Sequence, residues 1–161
     1  MVEFKTQRPR SKHIQVPIGL LEGQAISPPR QSTALAETLA TTNMDMTSLA
    51  LALSSADKPL FVIGGGAAAA ATALREVVSA CGAACFETYA GRGIIAWDYP
   101  LNFGATLARP SSAQIMEQAD CIVAIGTELA EVDLWRYHLG HDCPLYRIDI
   151  DPECLADEHR A

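Results

Sequence analysis

The segment Lys58-Pro59-Leu60-Phe61-Val62-Ile63-Gly64-Gly65-Gly66 constrains the fold of this chain more than any other. Four consecutive apolar residues without polar alternation read as a strand buried on both faces, which requires cover on both sides of its sheet. The three glycines then make a tight turn, and an alanine-rich stretch running to about Ala80 reads as the helix that follows. Cys81-Gly82 closes that helix, with Gly82 suited to a left-handed C-terminal cap. The same strand pattern returns at residues 83–87, 121–125 and 145–150, the last stopped by Asp151-Pro152. Before the first strand, Asn43 can cap a helix with Asp45 in its first turn, and Met46, Leu49, Ala50 and Leu53 share one face. Residues 88–110 form a loop rich in glycine and proline. Ser111 or Ser112 caps a short helix ending near Ala119, and residues 129–140 fit a further helix or a turn-rich segment. Short apolar strands separated by helices, joined by right-handed crossovers, imply an α/β fold: an open, doubly wound parallel sheet.

The first 26 residues do not belong to that pattern. Residues 13–18, His-Ile-Gln-Val-Pro-Ile, read as a lone strand that needs a partner. Ser27-Pro28-Pro29-Arg30 marks a stiff connector. The chain therefore divides into residues 1–26, a linker over 27–43, and the α/β domain over 44–161. The net charge of −7 argues against nucleic acid as the main partner, although Lys5, Arg8, Arg10, Lys12 and Arg30 make a basic arm on an acidic body. No apolar run is long enough for a membrane helix, and the N-terminus lacks the apolar core of a signal peptide. Cys81, Cys85, Cys121, Cys143 and Cys154 are odd in number and lack C-x-x-C spacing, which fits free thiols in a reducing cytoplasm.

Several residues are candidates for a site. Gly64-Gly65-Gly66-Ala67-Ala68-Ala69 fits G-x-G-x-x-A between a strand and a helix, where backbone can approach a pyrophosphate. Glu87 lies roughly 20 residues on, where a ribose-binding carboxylate is expected. That makes a nicotinamide-binding domain a competing reading, although any strand-to-helix turn also favours glycine. Gly126 and Thr127 end the third strand, and loops at the carboxyl ends of such strands line the ligand crevice. Asp149 and Asp151 flank Ile150, so alternation puts both carboxylates on one side of the strand end. Asp151 fits a turn cap, and Asp149 a ligand or a domain contact. His138, His141 and Cys143 invite a metal reading, but Gly140 and Pro144 break the segment and no fourth ligand is assigned. Trp97, Tyr99 and Phe103 could cover a flat ligand ring or anchor their loop on the core.

The order of these segments resembles the middle domain of thiamine-diphosphate enzymes such as acetolactate synthase, benzoylformate decarboxylase and pyruvate oxidase. Residues 58–66 resemble that family's first core strand and glycine turn. Tyr89-Ala90-Gly91-Arg92-Gly93-Ile94-Ile95, with Tyr99-Pro100-Leu101 and Gly104, is similar to its "GKG…HP…G" loop. Residues 119–127 are similar to its "AD-x-V-x-x-x-G" strand, and residues 147–152 to its closing "IDID" strand. Residues 8–21 resemble the end of the family's preceding pyrimidine-binding domain, which would account for the orphan strand and the basic arm.

The resemblance implies a Rossmann-like middle domain of a longer enzyme that uses thiamine diphosphate and Mg2+ on 2-oxo acids, as a decarboxylase or an acetolactate synthase. It implies that this piece is inactive alone, with no catalytic and no metal-binding residue of its own. The family's activating glutamate lies in the pyrimidine domain. Its Gly-Asp-Gly motif and distant Asn lie in the diphosphate domain, and neither motif occurs here: there is no Gly-Asp-Gly, and the asparagines are Asn43 and Asn102. The implied partners are those two domains and further copies in a homo-oligomer. Some members hold FAD or ADP in this domain. By position, Gly64, Gly65, Gly66, Gly126, Thr127 and Asp149 are then the nucleotide-binding candidates. Glu128 stands where FAD-binding acetolactate synthases carry Arg, and its charge opposes a pyrophosphate. An autonomous module for NAD, FAD or ADP stays open as the alternative.

Overall fold

The computed structural model describes residues 10–24 and 46–156. The chain separates into two compact units, Met1–Met44 and Asp45–Ala161. In the first, the strand expected over residues 13–18 does not form. The backbone from residue 10 to Pro17 is irregular, and Ile18–Leu20 is a single 3-10 turn. A strand is made by its neighbour, and none pairs with it among the described residues. Ile14 and Ile18 are accordingly left exposed.

The second unit is built on four strands: β1 Pro59–Ile63, β2 Ala84–Glu87, β3 Cys121–Ile125 and β4 Leu145–Ile148. All pairings are parallel and the order is β2-β1-β3-β4, the doubly wound arrangement expected from the sequence. The chain leaves β1 toward one edge and β3 toward the other, so the winding reverses between these two strands. Every residue of β1 is buried, as its unbroken apolar run requires. Leu60, Val62, Ile122, Ala124, Phe86 and Leu145 form one core cluster with Leu107, Met116, Leu134 and Leu139. Phe61, Ile63 and Val123, which alternate with them, are equally buried. Each such side chain removed from water contributes about 1.5–3 kcal/mol before the entropy of ordering is counted.

Helix α1 (Met46–Ser55) buries Leu49 and half-buries Leu53, while Met46 and Ala50 of the expected face are exposed. The capping residues Asn43 and Asp45 lie outside the described residues. The Asp120 carboxylate accepts from the Asp57 and Lys58 N–H groups at 2.7 and 3.0 Å, tying the entry of β1 to the entry of β3. Helix α2 (Ala71–Cys81) starts later than the sequence implied, because Gly65–Ala70 form a 3-10 helix first. The left-handed cap at Gly82 is as expected, with φ 59°. Helix α3 (Pro110–Glu117) is entered through Arg109 with Pro110 in its first turn, rather than through Ser111 or Ser112. Ser112 is buried inside the helix and donates back to the Leu107 and Arg109 carbonyls. Two four-residue helices, α4 (Glu131–Leu134) and α5 (Pro152–Leu155), complete the unit.

The β2 edge is backed by the loop: Cys85 N–H donates to Leu101 O, Phe103 N–H to Cys85 O and Glu87 N–H to Gly104 O. Among the described residues no helix is long and apolar enough to cross a membrane.

Candidate functional site at the strand carboxyl ends

Five of the six candidate residues meet where the winding reverses. Gly64 follows β1 and Gly126 follows β3, and the two turns are joined backbone to backbone. Gly64 N–H donates to Ile125 O at 2.9 Å, and Gly66 N–H to Gly126 O at 3.1 Å. Gly126 N–H donates in turn to Ile148 O at 2.8 Å, extending the join to β4. A side chain on Gly64 would run into Gly126 O and come within 2.6 Å of Thr127 Cβ. Gly126 has φ 60°, a left-handed conformation that glycine adopts without strain, and a Cβ there would lie 2.5 Å from Ala67 N. Gly65 faces the loop after β2, where its Cβ would meet that of Ala90 at 2.9 Å. Gly91, in that loop, packs so closely that a Cβ would strike Ile63 O.

Thr127 is buried. Its hydroxyl accepts from Leu129 N–H at 3.0 Å, and its carbonyl accepts from an Arg147 guanidinium nitrogen at 3.2 Å. Arg147, buried on β4, is a site-lining cation that motif order does not single out. A signal for it exists all the same: a charged residue on the face of a strand that alternation assigns, with Leu145, to the interior.

The two aspartates do not share one side of a strand. β4 ends at Ile148, so strand alternation no longer applies at Asp149 and Asp151. Asp149 Oδ1 accepts from Asp151 N–H at 2.9 Å, and Asp151 Oδ1 accepts from Glu153 N–H at 3.0 Å as the cap of α5. They act in series on the backbone, with Asp151 buried and Asp149 half-buried.

Glu87 also takes a different place from the ribose-facing one. It is buried, and its Oε1 accepts from Ile95 N–H at 2.9 Å. It anchors the glycine-rich loop from within, aided by Arg75, which donates to the Ile94 and Gly93 carbonyls. Tyr99 and Phe103 are loop anchors as well: the Tyr99 hydroxyl donates to Ala83 O at 2.8 Å, and Phe103 stacks on Phe86 at 5.0 Å. Trp97 stands 92% exposed. His141 Nδ1 lies 2.8 Å from Cys143 O, and His138 is exposed. Among the described residues no group of three or more His, Cys, Asp or Glu is placed to hold a metal ion. The Cys85 thiol is pushed up to about 12 by burial and by the neighbouring Glu87, which keeps it protonated and unreactive.

A parallel α/β domain with its turns packed at the switch point belongs to the broad class of doubly wound, Rossmann-like domains. Comparison with known proteins narrows the class: residues 46–161 match the family model described as the central domain of thiamine pyrophosphate enzymes. The chain belongs to that family, as the order of its motifs implied. A protein of Pseudomonas aeruginosa named as a probable 2-ketoarginine decarboxylase, AruI, is 33% identical over 96% of this chain and 28% of its own length. Pyruvate oxidase of Lactiplantibacillus plantarum is 30% identical over 71% of this chain and 19% of its own. An X-ray structure from Mycobacterium smegmatis, described as thiamin diphosphate-dependent, superposes with a TM-score of 0.52 at 27% identity, over 70% of this chain and 23% of that one. The chain thus spans less than a third of each of these relatives.

Proposed function

We propose that this chain serves as the middle domain of a longer thiamine-diphosphate enzyme acting on 2-oxo acids, and that it contributes scaffold and domain contacts rather than catalytic groups. The observation that carries this reading is how fully the polar groups at the strand carboxyl ends are used on the chain itself. Gly64 and Gly66 N–H groups, the Thr127 hydroxyl and the Asp149 and Asp151 carboxylates all have protein partners. A thiamine diphosphate site needs oxygen ligands for Mg2+, and among the described residues no group of three or more His, Cys, Asp or Glu is placed to supply them. Of the two asparagines, Asn102 already uses its Oδ1 to accept from Gly104 N–H. No step of the thiamine chemistry is therefore assigned to this chain.

Decarboxylation is favoured over acetolactate formation as the parent activity, because a relative matched over 96% of this chain bears a decarboxylase name. The partners on this reading are the pyrimidine-binding and diphosphate-binding domains and further copies of the enzyme.

Carbon dioxide release by the longer enzyme, assayed with 2-ketoarginine, pyruvate and other 2-oxo acids in the presence of thiamine diphosphate and Mg2+, tests the reading. Turnover is expected with at least one 2-oxo acid. The 161-residue chain alone should release none and should show no saturable binding of thiamine diphosphate. Micromolar binding by the chain alone, or an inactive longer enzyme, would count against it.

A further inference from the structure

The G-x-G-x-x-A turn is the strongest pointer to FAD, ADP or NAD in this chain, and its geometry argues against them. In a dinucleotide site the glycines keep a space open, and the N–H groups at a helix start face the pyrophosphate. Here the space beside Gly64 is filled by Gly126 O and Thr127, and a Cβ on Gly66 would lie 3.0 Å from Gly126 Cα. Two of the three glycine N–H groups are spent on Ile125 O and Gly126 O. The turn opens into the 3-10 helix Gly65–Ala70, so α2 begins only at Ala71, well beyond the glycines. The carboxylate that would hold a ribose, Glu87, is turned inward onto Ile95.

We infer that Gly64, Gly66 and Gly126 form a backbone lock splicing the carboxyl ends of β1 and β3, and that this chain binds no FAD, ADP or NAD pyrophosphate at that turn. Glycine alone lets the two turns touch, which accounts for the fingerprint without a nucleotide. The inference does not depend on the thiamine reading: flavin binding would leave the decarboxylation assay untouched, and a failed decarboxylation assay would leave the lock in place.

The test has a binding arm and a folding arm, both on the full chain. Titration with FAD followed by flavin fluorescence, and with ADP and NAD by calorimetry, is expected to show no saturable binding below about 1 mM. In ligand-free buffer, Gly64→Ala and Gly126→Ala are expected to lower the Tm by more than about 5 °C or to prevent folding. Gly66→Ala, whose methyl would meet its neighbour less severely, supplies a graded loss in a protein that still folds. Gly19→Ala, with nothing within 4 Å of the added methyl, is the control and should leave the Tm unchanged. Saturable binding of any of the three nucleotides to the wild type would overturn the inference. So would alanine variants at all three lock positions that melt together with the wild type.

Discussion

At the carboxyl ends of β1 and β3 the chain packs backbone against backbone, while around Arg136 a single side chain holds an irregular segment in place. The first region works by deleting side chains: Gly64, Gly91 and Gly126 leave room for neighbouring backbone to approach, and the parallel hydrogen-bond ladder simply continues through the turns. The second has no ladder to continue. Helix α4 is only four residues long, and the carbonyls that follow need donors from elsewhere. The Arg136 guanidinium supplies them, donating to Leu107 O at 2.8 Å, Ser112 Oγ at 2.9 Å, His138 O at 2.9 Å and Leu139 O at 2.9 Å. Anchoring Arg136 inward turns its neighbours out: Trp135 is 74% and Tyr137 76% exposed. Regular structure can be joined by removing atoms, whereas irregular structure has to be joined by adding a donor with several arms.

The largest effect should come from breaking the first join. Gly91→Ala drives a methyl into the Ile63 carbonyl at a buried position, and a loss of about 4 kcal/mol or more is expected. Urea denaturation would read this as a collapsed midpoint or a chain that does not fold. Breaking the second join should cost less. Arg136→Ala strands several carbonyls with water able to reach some of them, for about 2–4 kcal/mol. Arg136→Lys should recover less than half of that loss, because one ammonium cannot reproduce the fork. Full recovery by lysine would show that charge rather than geometry matters there.

A third test asks how dry the sheet is beside the seam. Burial pushes Cys85 up to about 12 and also raises Cys121 and Cys143. In the unfolded chain these thiols ionise near ~8.5. Above that pH the unfolded state loses protons that the folded state keeps, so it is favoured progressively. Stability should be full below ~8.5, fall as pH rises toward 12, and fall less in Cys85→Ala. Urea midpoints at about pH 7 and about pH 10, either side of the free-thiol value, check the sign. A flat profile would mean the sheet is wetter than its burial implies.

The smallest effects belong to the outward side chains. Trp135 has φ 52°, a strained conformation for a bulky residue, so Trp135→Gly should be neutral or stabilising by up to about 1 kcal/mol. Trp97→Ala should stay within about 0.5 kcal/mol by thermal melt.

Much of the fold is legible in the amino-acid sequence. The strand at residues 121–125 coincides with β3, and residues 60–63 fall one residue short of β1, because a doubly buried strand writes itself as an apolar run. Gly82 is legible for a comparable local reason, since a helix that ends in a left-handed turn favours glycine. The orphan strand at residues 13–18 misleads because alternation describes a strand only if a neighbour accepts its backbone. The shared strand face read for Asp149 and Asp151 misleads because β4 ends two residues early, and each carboxylate then finds an N–H two positions along the chain; the turn cap expected at Asp151 is present. The meeting of Gly64 with Gly126 can be placed from sequence only loosely, as two turns at the same end of a sheet.

The α/β class, the parallel sheet and the family are written in the chain itself, since all three rest on periodicity, turn residues and motif order carried within short segments. What packs against the glycines and the buried Glu87 was decided only when the chain closed on itself. Whether a glycine opens space for a ligand or for another turn depends on what arrives from about sixty residues away, and whether a carboxylate faces a ribose or an amide depends on which loop closes over it. Those are questions of which backbone fills a given volume, and no local pattern of residues encodes that.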